Sequence, residues 1–182
     1  MRYVALLRGI NVGGNTLIKM AALRECVESL GFQEVRTYIN SGNVLFEADE
    51  VDTVVLAQSL EQAITKTFRH EVRVVVFTHD EWRAIIENAP MKWGHDSENY
   101  RYNLLVLLPP TTAVEAMEQC GDPKVDIEFA EPGEGVIYQG AQWRAITRTN
   151  YSKIVGKPIY KQMTIRNYNT SVKLLALLES ET

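Results

Sequence analysis

At 182 residues the chain has room for one large domain or two small ones, since domains commonly hold about 100–150 residues. A hydrophobic fraction of 46% beside 23% charged residues excludes the disordered class. The net charge of −4 excludes a general attraction to nucleic acid or anionic membrane.

Two cysteines, Cys26 and Cys120, lie far apart and in helical patterns, where a lone cysteine is usually a small buried hydrophobe. A disulfide framework is not expected, which suits a reducing compartment. Val4-Ala5-Leu6-Leu7 is stopped by Arg8, short of the roughly 7–15 residues of a signal h-region. No stretch approaches the ~20 apolar residues that span a bilayer. The expectation is a cytoplasmic protein with no membrane partner.

Taken in chain order, Tyr3 to Leu7 reads as a buried strand, ended by the polar turn from Arg8 to Asn15. Leu23, Val27 and Leu30 recur at helical spacing, with Gly31 placed as a C-terminal cap. Val35 to Ile39 and Val44 to Phe46 are strands separated by Asn40-Ser41-Gly42-Asn43, a hairpin turn. Leu56, Leu60, Ile64 and Phe68 mark a second helix, with Asp52 near its start, and Val72 to Phe77 is a further strand. The order βαββαβ is the ferredoxin-like split unit, assigned to residues 1–78.

Residues 79–182 read as a second α+β lobe with a smaller antiparallel sheet. Thr78 and Glu81 form a capping box for a helix carrying Trp82, Ile85 and Ile86. Asn88 to Tyr100 is a loop, and Tyr102 to Leu108 a strand closed by Pro109-Pro110. Thr112 and Glu115 cap a helix carrying Val114, Met117 and Cys120. Val125 to Phe129 and Val136 to Tyr138 are two more strands, and the chain ends in a helix through Val172, Leu175 and Leu178. No internal repeat is visible.

A ferredoxin-like unit is expected to place its first and third strands side by side and parallel, with the second strand running the other way. On that expectation the Gly9–Asn15 loop lies beside the Asn40–Asn43 hairpin, and the connection around Arg69 and His70 ends there too. The first loop feeds a helix start, whose exposed N–H groups and dipole favour an anion by roughly 0.3–1 kcal/mol per surface charge. Gly9, Gly13 and Gly14 allow close backbone approach, and Arg8 offers a forked donor for carboxylate or phosphate. Gly9-x-x-x-Gly13-Gly14 matches neither the P-loop nor the Rossmann spacing.

From Arg144 to Lys173 come Arg144, Arg148, Lys153, Lys157, Lys161, Arg166 and Lys173 with no acid among them, and Tyr151, Tyr160 and Tyr168 are interleaved. Basic residues with aromatics are one footprint of nucleic-acid or nucleotide binding, and a solvated face is the plainer reading. Within it, Thr164, Asn169 and Thr170 are candidate N-caps for the last helix. With Thr164 as cap, Arg166 falls in the first turn, where the dipole disfavours it and a partner is expected.

Leu6-Leu7-Arg8-Gly9-Ile10-Asn11-Val12-Gly13-Gly14, Thr37-Tyr38-Ile39-Asn40-Ser41-Gly42-Asn43-Val44 and Thr164-Ile165-Arg166-Asn167-Tyr168-Asn169-Thr170 together resemble the mainly bacterial, uncharacterised family called domain of unknown function 1697. The likeness is tight at those three places and loose between about Asp49 and Gly140. It implies two α+β lobes, the first ferredoxin-like, and it assigns no activity.

Three scattered histidines, His70, His79 and His95, form no metal-ligand spacing, and no G-x-S-x-G elbow is present. Neither a metal nor a cofactor is expected, and no catalytic residue is singled out. The leading expectation is a binding module for a phosphate-bearing ligand, a nucleotide or a nucleic acid, in an inter-lobe cleft. Its ligand set is Arg8, Asn11, Gly13, Asn40, Ser41, Asn43, Arg166 and Asn167, with the Arg144–Lys173 stretch as the surface for a nucleic-acid partner. Two alternatives stand beside it: an enzyme acting on a small polar or phosphorylated metabolite, and an interaction protein whose asparagines pack lobe on lobe. The sequence does not choose an oligomeric state.

Overall fold

A computed structural model describes residues 1–11 and 17–180. They fall into two compact units, one of Met1–Arg83 with Lys173–Thr182 and one of Ala84–Val172.

The first unit carries β1 (Arg2–Arg8), α1 (Met20–Glu28), β2 (Gln33–Tyr38), β3 (Asn43–Glu47), α2 (Thr53–Phe68) and β4 (Arg73–Thr78), followed by the start of α3 (His79–Glu87). The sheet order is β2-β3-β1-β4 and every neighbouring pair is antiparallel, a ferredoxin-like sheet. The strand directions differ from the sequence expectation. Arg2 lies opposite Glu47 and Leu6 opposite Asn43, so β1 and β3 run antiparallel. The physical reason is the connection: the crossover through α1 returns β2 in the direction of β1, and the tight hairpin then reverses β3 against both. The ends of β1 and β2 therefore still meet, along with the start of β4.

On one face of this sheet Tyr3, Ala5 and Leu7 of β1 join Leu23 and Val27 of α1 and Leu56, Leu60 and Ile64 of α2 in one core. Phe46 stacks on both Tyr3 and Phe32, at 5.4 and 4.7 Å between ring centroids. Fully burying such side chains stabilises by about 1.5–3 kcal/mol each. Val4, Leu6, Leu45 and Val75, on the alternate positions, are buried too. This explains why the strands read as continuous apolar runs. The helix ends obey local signals: the Asp52 carboxylate accepts from the Val54 N–H at 2.7 Å, and Thr78 and Glu81 form the expected reciprocal box.

The second unit carries β5 (Tyr100–Leu107), α4 (Ala113–Cys120), β6 (Glu128–Gly133), β7 (Val136–Gln142), three short 3-10 helices (Trp143–Arg148, Tyr151–Gly156, Pro158–Gln162), β8 (Met163–Asn167) and the start of α5 (Tyr168–Glu179). Its sheet, β6-β7-β5-β8, is again four-stranded and antiparallel. It is no smaller than the first by strand number. Counted within each unit, the strand order 2-3-1-4 is the same in both.

Two segments differ from their sequence assignment. Residues Met163–Asn167 form a strand against β5, with Arg166 opposite Leu104, rather than the first turn of the last helix. The β6 strand begins at Glu128 and runs through Pro132, leaving Val125 exposed. Proline is acceptable there because β6 is an edge strand, whose outer N–H groups need no ladder partner. The cap of α5 is Asn167, whose Oδ1 accepts from the Thr170 N–H at 2.8 Å, rather than Thr164, Asn169 or Thr170. Thr112 and Glu115 do form the expected box on α4.

The core of this unit joins Leu105 and Leu107 with Cys120, Ile137, Tyr151, Ile154, Ile159 and Met163. Glu128 is buried at its margin, and its carboxylate accepts from the N–H groups of Lys124, Asn150 and Tyr151 at 2.7–3.2 Å. Three backbone donors compensate the desolvated charge and pin the 3-10 segment to β6. Among the described residues no helix is long and apolar enough to cross a membrane.

Candidate functional site

One rim of the first sheet gathers Gly9, Asn11 and the Asn40–Asn43 turn. Arg8 ends β1 opposite Arg73, the first residue of β4, and the β2–β3 turn closes the same end. The rim is knitted by one side chain. Asn11 Oδ1 accepts from the Ile18 N–H at 2.8 Å, while its Nδ2 donates to the Ile18 carbonyl at 3.0 Å and to the Asn40 carbonyl at 2.9 Å. The Asn11 amide thus joins the end of β1 to Ile18 and to the hairpin.

The backbone here is unusual. Asn11 has φ 55° and Ile39 φ 49°, alongside Gly9 at 77° and Gly42 at 76°. Asparagine tolerates the left-handed region, but a β-branched isoleucine there is a true outlier. Ile39 is also half exposed, so burial does not compensate the strain. Strain of this kind, of order 1–3 kcal/mol, concentrates at ligand sites and switches.

The expected site residues divide into frame and surface. Asn43 is fully buried, and its Nδ2 donates to the Tyr38 carbonyl and to Ser41 Oγ at 2.9 and 3.0 Å. Asn11 is committed to the loop. Asn40 is exposed, and Arg8 is half-buried at the strand end. Gly13 lies outside the described residues, as do Val12, Gly14, Asn15 and Thr16. Arg166 and Asn167 belong to the second unit. The Arg166 guanidinium is 5% exposed and donates to Thr164 Oγ1 and the Ile165 carbonyl, and burial lowers its pKa to about 10. It remains a cation at neutral pH.

Sequence reasoning missed Lys19 and Arg73. Lys19 is the exposed N-cap position of α1 and gives no side-chain cap, and the first turn of α1 holds no acid. Arg73 is exposed and pairs with Glu61 at 3.2 Å, on the same rim. With Arg8 and the exposed Arg69 they give this end of the unit an excess of positive charge. Charge along α2 and β4 was present in the sequence, but only the register brings it beside Arg8. At the other end of the sheet, a cavity of about 350 Å³ is lined by Met1, Phe32, Glu47 and Asp49, and Arg2 pairs with Glu47 there at 3.0 Å.

The basic stretch of the second unit is partly structural. Lys157 donates to the carbonyls of Gln119 and Cys120, so it neutralises the C-terminal end of α4. Tyr151 is buried in the core, and Tyr168 packs edge-on against Trp93. Burial pushes the Cys120 thiol pKa up, against the smaller opposing effect of Lys157. Among the described residues no group of three or more His, Cys, Asp or Glu side chains could hold a metal ion.

Two ferredoxin-like antiparallel sheets in tandem, the first with Asn11 tied to Ile18 and Asn40 at its rim, define the class to which this protein belongs. Residues 1–138 match the model described as "Protein of unknown function (DUF1697)", and the chain belongs to that family. It is similar to the solved structure of a conserved bacterial protein, SP0830, from Streptococcus pneumoniae. That likeness has a TM-score of 0.84 at 27% identity and covers 98% of each chain. No curated protein matches the sequence.

Proposed function

We propose that this protein binds a phosphate-bearing ligand, a nucleotide or a stretch of nucleic acid, at the rim where β1 ends. The observation that carries the reading is the N-terminus of α1. Among the described residues it opens without a side-chain cap and without an acidic residue, two residues after Ile18, which Asn11 holds beside the hairpin. Uncapped N–H groups at a helix start, with the dipole behind them, attract an anion. Arg8, Lys19, Arg69 and Arg73 add long-range attraction. In this reading Asn11, Ser41 and Asn43 hold the frame, while Asn40 and Arg8 face the ligand. Arg166 and Asn167, engaged within β8 and at the start of α5, are left out of direct contact.

Support for a structural reading comes from Asn43, which is buried and bonded within its own hairpin. Division of labour reconciles the two: the same asparagines that make the frame rigid preorganise the surface. A cytoplasmic setting belongs to the same proposal and is supported by two free, buried thiols, Cys26 and Cys120.

The test is a titration followed by the backbone amide resonances of Met20, Ala21 and Ala22. Adenosine triphosphate, pyrophosphate and single-stranded RNA should each shift them saturably at low salt, and Arg8→Ala should weaken the effect. For RNA the logarithm of affinity should fall with log salt by about 0.7 per phosphate neutralised. Resonances that stay still with all three probes would remove the proposal.

A further inference from the structure

The second unit holds a cavity of about 290 Å³ between the start of β5 and the end of β7, lined by Asp96, Glu98, Tyr100, Gln142, Trp143 and Arg144 among others. From these residues we infer a second binding site, for a small zwitterion of the amino-acid type.

The platform is Trp143. The chain has three tryptophans; Trp82 and Trp93 are 0% and 5% exposed, whereas Trp143 is 51% exposed. Its ring is nonetheless held in place. The indole N–H donates to the Ser97 carbonyl at 3.3 Å, and the backbone N–H donates to the Asn99 carbonyl at 2.9 Å. An aromatic ring fixed at both anchors, with half its surface left to solvent, is a preformed contact surface.

Gln142 organises the rest. Its Nε2 donates to the Tyr100 hydroxyl at 3.1 Å and to the Asp126 carbonyl, and its Oε1 accepts from Arg144 Nε at 3.1 Å. The Tyr100 hydroxyl, acting there as acceptor, keeps its own proton to donate. Among the described residues Arg144 commits only Nε, which leaves the forked end of the guanidinium available to a carboxylate. The Asp96 carboxylate is occupied by the N–H and side-chain amide of Asn99, but it still contributes negative charge. Glu98 makes no hydrogen bond or ion pair among the described residues and is exposed.

The lining therefore offers a fixed aromatic face, one guanidinium fork and two carboxylates in a small volume. A polyanion would meet Asp96 and Glu98, and a simple cation would meet Arg144. A ligand carrying both charges satisfies both, with its ammonium group toward the carboxylates and the indole face and its carboxylate on Arg144. The volume sits at the lower end of small-molecule sites, of order 300–1,000 Å³, which suits a free amino acid rather than a peptide.

The experiment titrates each standard amino acid into the full-length protein and follows the three indole N–H cross-peaks, with Trp143→Phe identifying the Trp143 signal. At least one amino acid should move that signal saturably while the Trp82 and Trp93 signals stay in place. The corresponding amine without the carboxylate, and acid without the ammonium, should bind about tenfold more weakly or worse, because each abandons a charge-assisted contact. Arg144→Gln should erase the advantage over the amine, and Glu98→Gln should reduce the advantage over the acid. Three outcomes overturn the inference: no amino acid moves the signal at millimolar concentration, the amine binds as tightly as its parent, or all three indoles move alike. The variants sit at exposed positions, and an unchanged far-ultraviolet spectrum confirms that each is folded.

Discussion

The N–H of Leu7 donates to the carbonyl of Gly42 at 2.8 Å, joining the end of β1 to the turn before β3. The second unit repeats this bond, from Leu107 near the end of β5 to Gly135 before β7, at 2.9 Å. Both glycines are left-handed, at φ 76° and 67°. The two units thus share a strand order and the hairpin lock that sets it, although the sequence shows no repeat. A lock built from backbone atoms constrains only the glycine, so the surrounding residues are free to differ.

The glycines should not respond alike to substitution. A Cβ on Gly42 would meet Leu7 Cβ at 2.8 Å and Ile10 at 3.0 Å, while one on Gly135 meets nothing within 4 Å. Gly135→Ala should cost about 1 kcal/mol for the left-handed backbone alone. Gly42→Ala adds overpacking and should cost about 2–4 kcal/mol. Denaturant midpoints compare the pair.

Asn11→Gly keeps the φ of 55° accessible and removes only the clip to Ile18 and Asn40. A loss of about 1–3 kcal/mol is expected for the three hydrogen bonds and the freed loop. Hydrogen exchange at the Ile18 amide should accelerate more than exchange in the core of β1.

Ile39→Asn should stabilise the protein by about 1 kcal/mol, since asparagine accepts the left-handed region and little apolar surface is lost. If the strained conformation serves ligand binding, stability and affinity will move in opposite directions. Thermal unfolding and the phosphate titration together read this out.

The Tyr151 hydroxyl is buried and has no hydrogen-bond partner among the described residues. Burial, with further contributions from Cys120, Glu128 and Asp122, pushes its pKa up. Tyr151→Phe retains the ring in the core and deletes the uncompensated group. Stability should hold or rise by about 1 kcal/mol, measured by urea unfolding.

The Tyr138 hydroxyl donates to the Ile85 carbonyl at 2.6 Å, and burial pushes its pKa from 10.0 up to about 12. Between those values the folded chain holds a proton that the unfolded chain has released. Its contribution is therefore complete below about pH 10 and lost as pH rises toward 12. Tyr138→Phe should cost about 1 kcal/mol at neutral pH and make the alkaline loss of stability shallower. Unfolding measured at several pH values from neutral into the alkaline range checks both.

Much of the first unit was legible because its signals are local. The runs Tyr3 to Leu7 and Val72 to Phe77, the spacing of Leu56, Leu60 and Ile64, the Asp52 cap and the Thr78–Glu81 capping box are each carried within a few residues. Less was legible in the second. β8 is five residues long and stands as a strand only because β5 offers it a ladder, and β6 keeps Pro132 only because it is an edge. Both depend on neighbours distant in sequence.

The candidate rim shows the same division. That Arg8 and Asn11 meet the Asn40–Asn43 turn was inferred from wrong strand directions, yet for these residues the meeting holds because β1 and β2 point the same way. Asn11 as a clip and Ile39 as a strained residue had no signal in composition or spacing. Their roles depend on backbone angles and on carbonyls up to 29 residues away.

Taken alone, the chain of residues determined most of the helices and strands, where most helices are capped, and that the two cysteines are buried thiols, because these follow from side-chain periodicity and hydrogen bonds between near neighbours. Tertiary structure alone decided the strand directions, the fourth strand of the second sheet, and which polar side chains are frame and which face solvent. Those outcomes turn on pairing and burial between distant segments, and no local pattern encodes them.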